Sequence, residues 1–288
     1  MGRRAVLLLT TMWVGVLLAG GVALAANLIT CQEGMTCEGT TGDDEMIGTS
    51  SDDDIYAYGG NDILRGGRSS DDLRGGPGND DLNGGRGNDQ YNIYDANWGA
   101  DTISADRSGA EDWLIFQIPP VALAVDLRPS LTSDEVTSGA NTINIATDVV
   151  IEWVQAGPDK DIIKGNSADN YLSGANDDDT LIGRKGNDHL VGDIVVFSNE
   201  GNDTLKGGPG NDALDGGPRG DDLYGGGDND DLLDGEGTGD LDDVFGGPGD
   251  DTIDVEDGDN NDIVCTGPGN DTVTKDSGDI LDDPSFGC

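Results

Sequence analysis

The chain has 288 residues, 58 of them acidic against 15 basic, for a formal net charge of −43, with 5% aromatic side chains and 48 glycines. Such acidity repels a phosphate backbone and excludes nucleic-acid binding. It also leaves too few core formers for burial alone to order the chain, so folding requires a strict internal period or an ion that neutralises the carboxylates.

Residues 1–25 differ from everything that follows. Arg3 and Arg4 form a short positive segment, Ala5 to Leu24 is almost wholly apolar, and Ala23-Leu24-Ala25 ends it with small residues two apart. This reads as a secretory signal peptide cleaved after Ala25. The apolar run is just long enough for an uncleaved anchor, but its small-x-small ending favours cleavage. Cys31 lies too far downstream for a lipoprotein. After cleavage no membrane span is expected, and the localisation is extracellular.

Residues 26–38 form an N-terminal cap holding Cys31 and Cys37, and residues 275–288 a C-terminal cap ending in Cys288, with Cys265 shortly before it. An even cysteine count in an exported chain implies disulfides, and four cysteines allow three connectivities. Their placement favours two local clamps, Cys31 to Cys37 and Cys265 to Cys288.

Residues 39–104 are periodic. From Gly39 the chain reads GTTGDDEMI, GTSSDDDIY, AYGGNDILR, GGRSSDDLR, GGPGNDDLN, GGRGNDQYN in unbroken register. Place six is always aspartate (Asp44, Asp53, Asp62, Asp71, Asp80, Asp89). Place eight is always bulky and apolar (Met46, Ile55, Leu64, Leu73, Leu82, Tyr91). After a three-residue slip, a unit at 96–104 puts Asp101 and Ile103 in the same places. Residues 105–155 are less acidic and richer in β-branched residues. Trp113 to Phe116, Ala124 to Leu127 and Val149 to Glu152 read there as strands.

The period resumes over 156–274. Units begin at Ala156, Gly165, Gly174 and Gly183, after an insertion at Ser198, Gly207, Gly216 and Gly225, and after shorter slips at Gly237, Gly246, Asp257 and Thr266. Their sixth places hold Asp161, Asp179, Asp188, Asp203, Asp212, Asp221, Asp230, Asp242, Asp251, Asp262 and Asp271, with Asn170 the one substitute.

Each place has a physical reason. Glycines at places one, two and four (Gly75, Gly76, Gly78; Gly84, Gly85, Gly87; Gly207, Gly208, Gly210) are expected to take positive φ in a tight turn. The place-six aspartate offers a hard anionic oxygen of the kind Ca²⁺ prefers, in a shell of about six to eight oxygens. Places seven to nine are extended, so place eight points inward while its neighbours, such as Asp72 and Arg74, Asp81 and Asn83, or Gln90 and Asn92, face water.

These units resemble the nonapeptide of the RTX, or hemolysin-type, calcium-binding family, G-G-x-G-x-D-x-U-x with U a large apolar residue. GGPGNDDLN at Gly75 to Asn83 and GGPGNDALD at Gly207 to Asp215 match fully. The resemblance implies an all-β fold, a right-handed parallel β-roll with two units per turn. It also implies Ca²⁺ between turns stacked on one edge, held by loop carbonyls and the eighteen place-six aspartates named above. Binding should be weak or absent at Asn170, and serine replaces the place-four glycine in GTSSDDDIY and GGRSSDDLR. Stretches like 105–155 continue the coil in that family with calcium-free turns, so an unbroken solenoid is expected, with a small inserted domain as the alternative.

Function divides three ways. The first reading is a secreted, non-enzymatic calcium-binding protein in a structural, surface or adhesion role, its cell-surface or matrix partner unspecified. The second is a calcium-dependent accessory part of a secreted hydrolase or epimerase. Against catalysis, the single histidine, His189, falls on an outward place seven, and neither H-E-x-x-H nor G-x-S-x-G occurs. The third is an ice-binding adhesin, which needs a threonine rank at place three. Pro77, Arg86, Glu200 and Pro209 stand there instead.

Overall fold

The computed structural model describes residues 26–104, 111–117, 122–127, 136–138, 141–145, 150–193, 200–234, 241–256, 258, 261–282 and 288. The proposed signal at 1–25 lies outside them. Within them the chain is all-β, and no helix is long and apolar enough to cross a membrane.

The strands stack into two sheets, of 15 and 12 strands, and the chain crosses from one to the other at every turn. Each sheet therefore pairs a strand with one a full coil later. Met46 lies beside Leu64 and Leu64 beside Leu82 in the first sheet. Ile55 lies beside Leu73 and Leu73 beside Tyr91 in the second. Two nonapeptides thus make one turn of a parallel β-solenoid. The slips in the period are absorbed in the turns, because Leu82 still pairs with Ile103, Leu181 with Leu205 and Leu223 with Val244.

The alternation of an extended strand explains the core. Place eight turns inward, and Met46, Ile55, Leu64, Leu73, Leu82, Tyr91, Ile103 and Leu114 are each at most 1% exposed. The hydrophobic interior is thus mainly the two facing columns of place-eight side chains. Asn92 corrects one expectation: it is buried, not solvated. Its amide donates to Asp72 Oδ1 at 2.8 Å, within a groove formed with Tyr56, Arg74 and Tyr94. The Arg74 guanidinium lies over both tyrosine rings, 4.2 and 4.5 Å from their centroids, and pairs with Asp72.

The segment between the periodic blocks joins both sheets. Trp113–Phe116 pairs in parallel with Gln90–Ile93 before it and Trp153–Gln155 after it. In the first sheet, Ala124–Asp126 pairs in parallel with Ile162–Lys164, and Asn141–Ile145 with Ala100–Ile103. Val136–Ser138 runs antiparallel between them, the one reversal in the stack among the described residues. The strand expected at Val149 to Glu152 is displaced. Residues 150–152 are outside any strand, Val149 is outside the described residues, and Trp153–Gln155 is the strand. The reason is register: Val154, not Val150, aligns with the inward Leu114 and Leu172.

Both ends are clamped by disulfides, Cys31–Cys37 at the first coil and Cys265–Cys288 at the last. Each fastens chain near a terminal strand whose outer edge pairs with no further strand among the described residues, where an open edge would otherwise fray or recruit another chain.

Candidate metal centre

The place-six aspartate stands where the turn passes into the strand, in most units immediately before the first strand residue, as Asp62 before Ile63 and Asp80 before Asp81. Its side chain is buried: Asp62, Asp71, Asp80, Asp101, Asp188 and Asp221 are all at most 3% exposed. A carboxylate in that position must find donors or a cation, because burying an uncompensated charge is costly.

One oxygen finds a donor. The backbone N–H of Asp44 donates to Oδ1 of Asp62, that of Asp62 to Asp80, and that of Asp80 to Asp101. The same rank continues from Asp161 through Asp179, Asp203, Asp221 and Asp242 to Asp262. On the opposite edge a second rank runs from Asp53 through Asp71 and Asp89. It resumes at Asn170 and passes through Asp188, Asp212, Asp230 and Asp251 to Asp271. Each carboxylate is thereby fixed to the coil before it.

The other oxygen is different. Among the described residues, Oδ2 is buried and accepts no hydrogen bond in Asp62, Asp71, Asp80, Asp179, Asp188, Asp203, Asp212, Asp221, Asp230 and Asp251. It points at the place-one glycine: a Cβ on Gly75 would lie 2.2 Å from Asp80 Oδ2. The place-four position is equally tight, since a Cβ on Gly78 would lie 1.6 Å from the Gly60 carbonyl oxygen of the preceding coil. Positive φ explains place two (Gly76, Gly85, Gly208) and, at place four, Gly87 and Gly210. It does not explain place one, nor Gly78 at place four, which lacks the expected positive φ. Gly75, Gly84 and Gly207 do not have positive φ, contrary to expectation, and are glycine because a side chain would strike the carboxylate. Carboxylate and carbonyl oxygens thus converge between neighbouring turns, a donor set suited to a hard cation such as Ca²⁺.

The carboxylates are correspondingly perturbed. Burial, opposed by the backbone hydrogen bond and reinforced by neighbouring carboxylates, pushes Asp62 up to about 6, Asp71 and Asp80 to about 7, Asp179 to about 9 and Asp221 to about 10. Burial pushes Asp101 up to about 8 against the hydrogen bond from the Asp80 N–H. Asp161, Asp188, Asp203 and Asp230 reach about 7.

Some places are already satisfied. Oδ2 of Asp44 accepts from the Thr40 N–H and hydroxyl, and Oδ2 of Asp53 from the Thr49 N–H. The Thr40 hydroxyl is a donor that glycine at place two cannot supply, whereas the backbone N–H groups reach Oδ2 here through the local turn geometry. Asp161 Oδ2 accepts from Gly157 N–H. Asn170 is neutral, and its Oδ1 accepts from Asn166 while its Nδ2 donates to the Ile151 carbonyl. Asp271, last of its rank, is half-buried.

Four buried acids escaped the periodic reading, among them Asp279, which the pairing of Ile263 with Ile280 sets beside Asp262 in the last coil. Asp112 accepts from the Asp89 N–H and itself donates to Glu152, carrying the second rank into the middle segment. Asp112-Trp113-Leu114 repeats places six to eight, a signal visible in sequence although no Gly-Gly precedes it. Asp193 and Asp234 fall outside places six, and only the sheet register reveals that they enter turns.

A family model described as the RTX calcium-binding nonapeptide repeat matches residues 38–73, 58–91, 153–193, 197–233 and 236–273, more than half of the chain. The chain belongs to this RTX repeat family. RTX repeats bind calcium, and the paired ranks above are where this RTX chain gathers its oxygen donors. No curated protein matches the chain.

Proposed function

We propose that this RTX chain is a secreted, non-enzymatic calcium-binding protein that folds on extracellular Ca²⁺ and serves a structural, surface or adhesion role. The observation that carries the reading is the repeated buried Oδ2 that accepts no hydrogen bond, stacked coil upon coil and facing a glycine. The place-six aspartates are the ligands, in the blocks 39–104 and 156–274. Strongest are those of the Gly-Gly units. Asp44, Asp53 and Asp161, whose second oxygen already has donors, bind more weakly. Residues 105–155 form a calcium-free bridge between the blocks, where Leu123 and Glu152 stand in line with Asp161 and Asn170 in place of aspartate.

Export is supported by the apolar N-terminal sequence and by the two disulfides, which persist in oxidising compartments. The non-enzymatic reading is supported by the exposed His189, which packs on the Tyr171 ring at an outward position.

A far-ultraviolet circular dichroism titration tests the proposal. Calcium should drive a cooperative gain of β-structure, reversed by chelator and not reproduced by equal magnesium, whose strict octahedral shell suits these loops poorly. A chain fully β-structured in excess chelator, with no calcium uptake, would overturn it.

A further inference from the structure

Asp234 occupies a position that the repeat reserves for glycine. Asp215 pairs with Leu233 in the second sheet, so Asp234 stands beside Gly216, and the pairing of Leu233 with Asp254 places Val255 on its other side. Gly174 and Gly192 precede Gly216 in the same column. Where the following turn is lengthened and a side chain fits, the column elsewhere takes an aliphatic group: Ile93 and Val255 are both buried there. Asp234 puts a carboxylate, 6% exposed, into this apolar column.

The space it enters holds two further acids. Carboxylate oxygens of Asp221, Asp234 and Asp242 lie within 4.8 Å of one another, and all three residues are buried. Asp221 is 1% exposed, and its Oδ2 accepts no hydrogen bond. That oxygen is aimed at the column, since a Cβ on Gly216 would lie 2.4 Å from it. Where the turn is of ordinary length this place holds nothing larger than alanine, as at Ala57 and Ala156. From Asp234 the chain runs eight residues to Asp242, against five from Gly216 to Asp221.

We infer that Asp234 is a third carboxylate ligand of one divalent cation held between the turns of Asp221 and Asp242, a site of higher charge than the repeat encodes. The inference rests on the calcium reading above and adds to it a specific ranking of sites. Ligand charge count tunes the affinity of calcium loops, so this site fills first and empties last. Its added residue lies in the second block, away from the weakened units at Asp44 and Asp53.

Calorimetric calcium titration of the full mature chain tests this, comparing wild type with Asp234→Gly, which restores the repeat residue, and Asp234→Asn, which keeps the shape and removes the charge. Wild type should show one tight site ahead of the cooperative set. In both variants that site should weaken at least about tenfold, as loss of one of three charged ligands implies. Circular dichroism at saturating calcium should show the same β content in all three. Retention of the tight site in Asp234→Asn, or a single undifferentiated class in wild type, overturns the role of Asp234 while leaving calcium binding intact. Absence of calcium uptake by wild type overturns the calcium reading itself.

Discussion

At place six, one aspartate divides its two oxygens between tasks. Oδ1 ties a coil to its predecessor through a backbone N–H, as Asp80 does for Asp62, while Oδ2 is held ready in a glycine-lined gap. The turn backbone is demanding enough that non-glycine residues adopt it under strain. Ser69 stands at place four with φ of 74°, where Gly87 one coil later has 126°. Its side chain is exposed and makes only a long 3.4 Å contact to the Ser50 carbonyl, so little is lost by removing it. A left-handed backbone costs an L-residue about 1–2 kcal/mol, partly offset by the entropy glycine loses on folding. Ser69→Gly should therefore raise stability by about 0.5–1 kcal/mol in chemical denaturation at saturating calcium. A lower midpoint would mean that the serine contributes something its contacts do not reveal.

At the scale of the element, the bridge between the blocks replaces ranks of acids with a rank of rings. Trp113, Trp153, Tyr171 and His189 share place seven in adjacent strands of the second sheet and stack along its outer face. Centroids are 4.1 Å apart for the first two pairs, with interplanar angles of 4° and 14°, and 4.8 Å for the last. Sequence reading found the strands of the two periodic blocks because each carries its own signal, an aspartate two residues before an inward apolar side chain. It could not find this ladder, since Trp113 and Trp153 become neighbours only after the chain passes through the first sheet and reverses at Val136–Ser138. The same limit hid Asp234, whose column is defined by strand pairing and not by spacing. Trp153 is stacked on both faces, and each aromatic pair adds about 0.5–1.5 kcal/mol beyond its area. Trp153→Ala should thus cost at least about 1–3 kcal/mol in urea titrations with calcium present. Gln90→Ala, at the same outward place beyond the ladder, should change stability by no more than about 0.5 kcal/mol. Equal effects at the two positions would dismiss the ladder as a source of stability.

For the whole molecule, protons and calcium compete for the same carboxylates. In an unfolded chain these aspartates titrate near about 3.9. In the coil, burial raises Asp62 to about 6, Asp71, Asp80, Asp188, Asp203 and Asp230 to about 7, Asp101 to about 8 and Asp179 to about 9. The calcium-free coil therefore binds more protons than the unfolded chain throughout that interval, and its stability must fall as pH rises. The stabilisation from protonation is complete below about pH 4 and disappears as pH climbs through the folded values, from about 6 for Asp62 to about 10 for Asp221. Repulsion within a chain of net charge −43 acts in the same direction. In excess chelator, β content by circular dichroism should rise as the solution is taken from pH 8 to pH 5. Saturating calcium, which binds the folded state and stabilises it by mass action, should flatten that dependence. Because calcium then displaces protons, calorimetry in buffers of different ionisation enthalpy should register proton release near neutral pH, and apparent affinity should increase with pH. A chelated chain whose β content is constant, or falls on acidification, would show that the ranks are not the elements that hold the apo chain open.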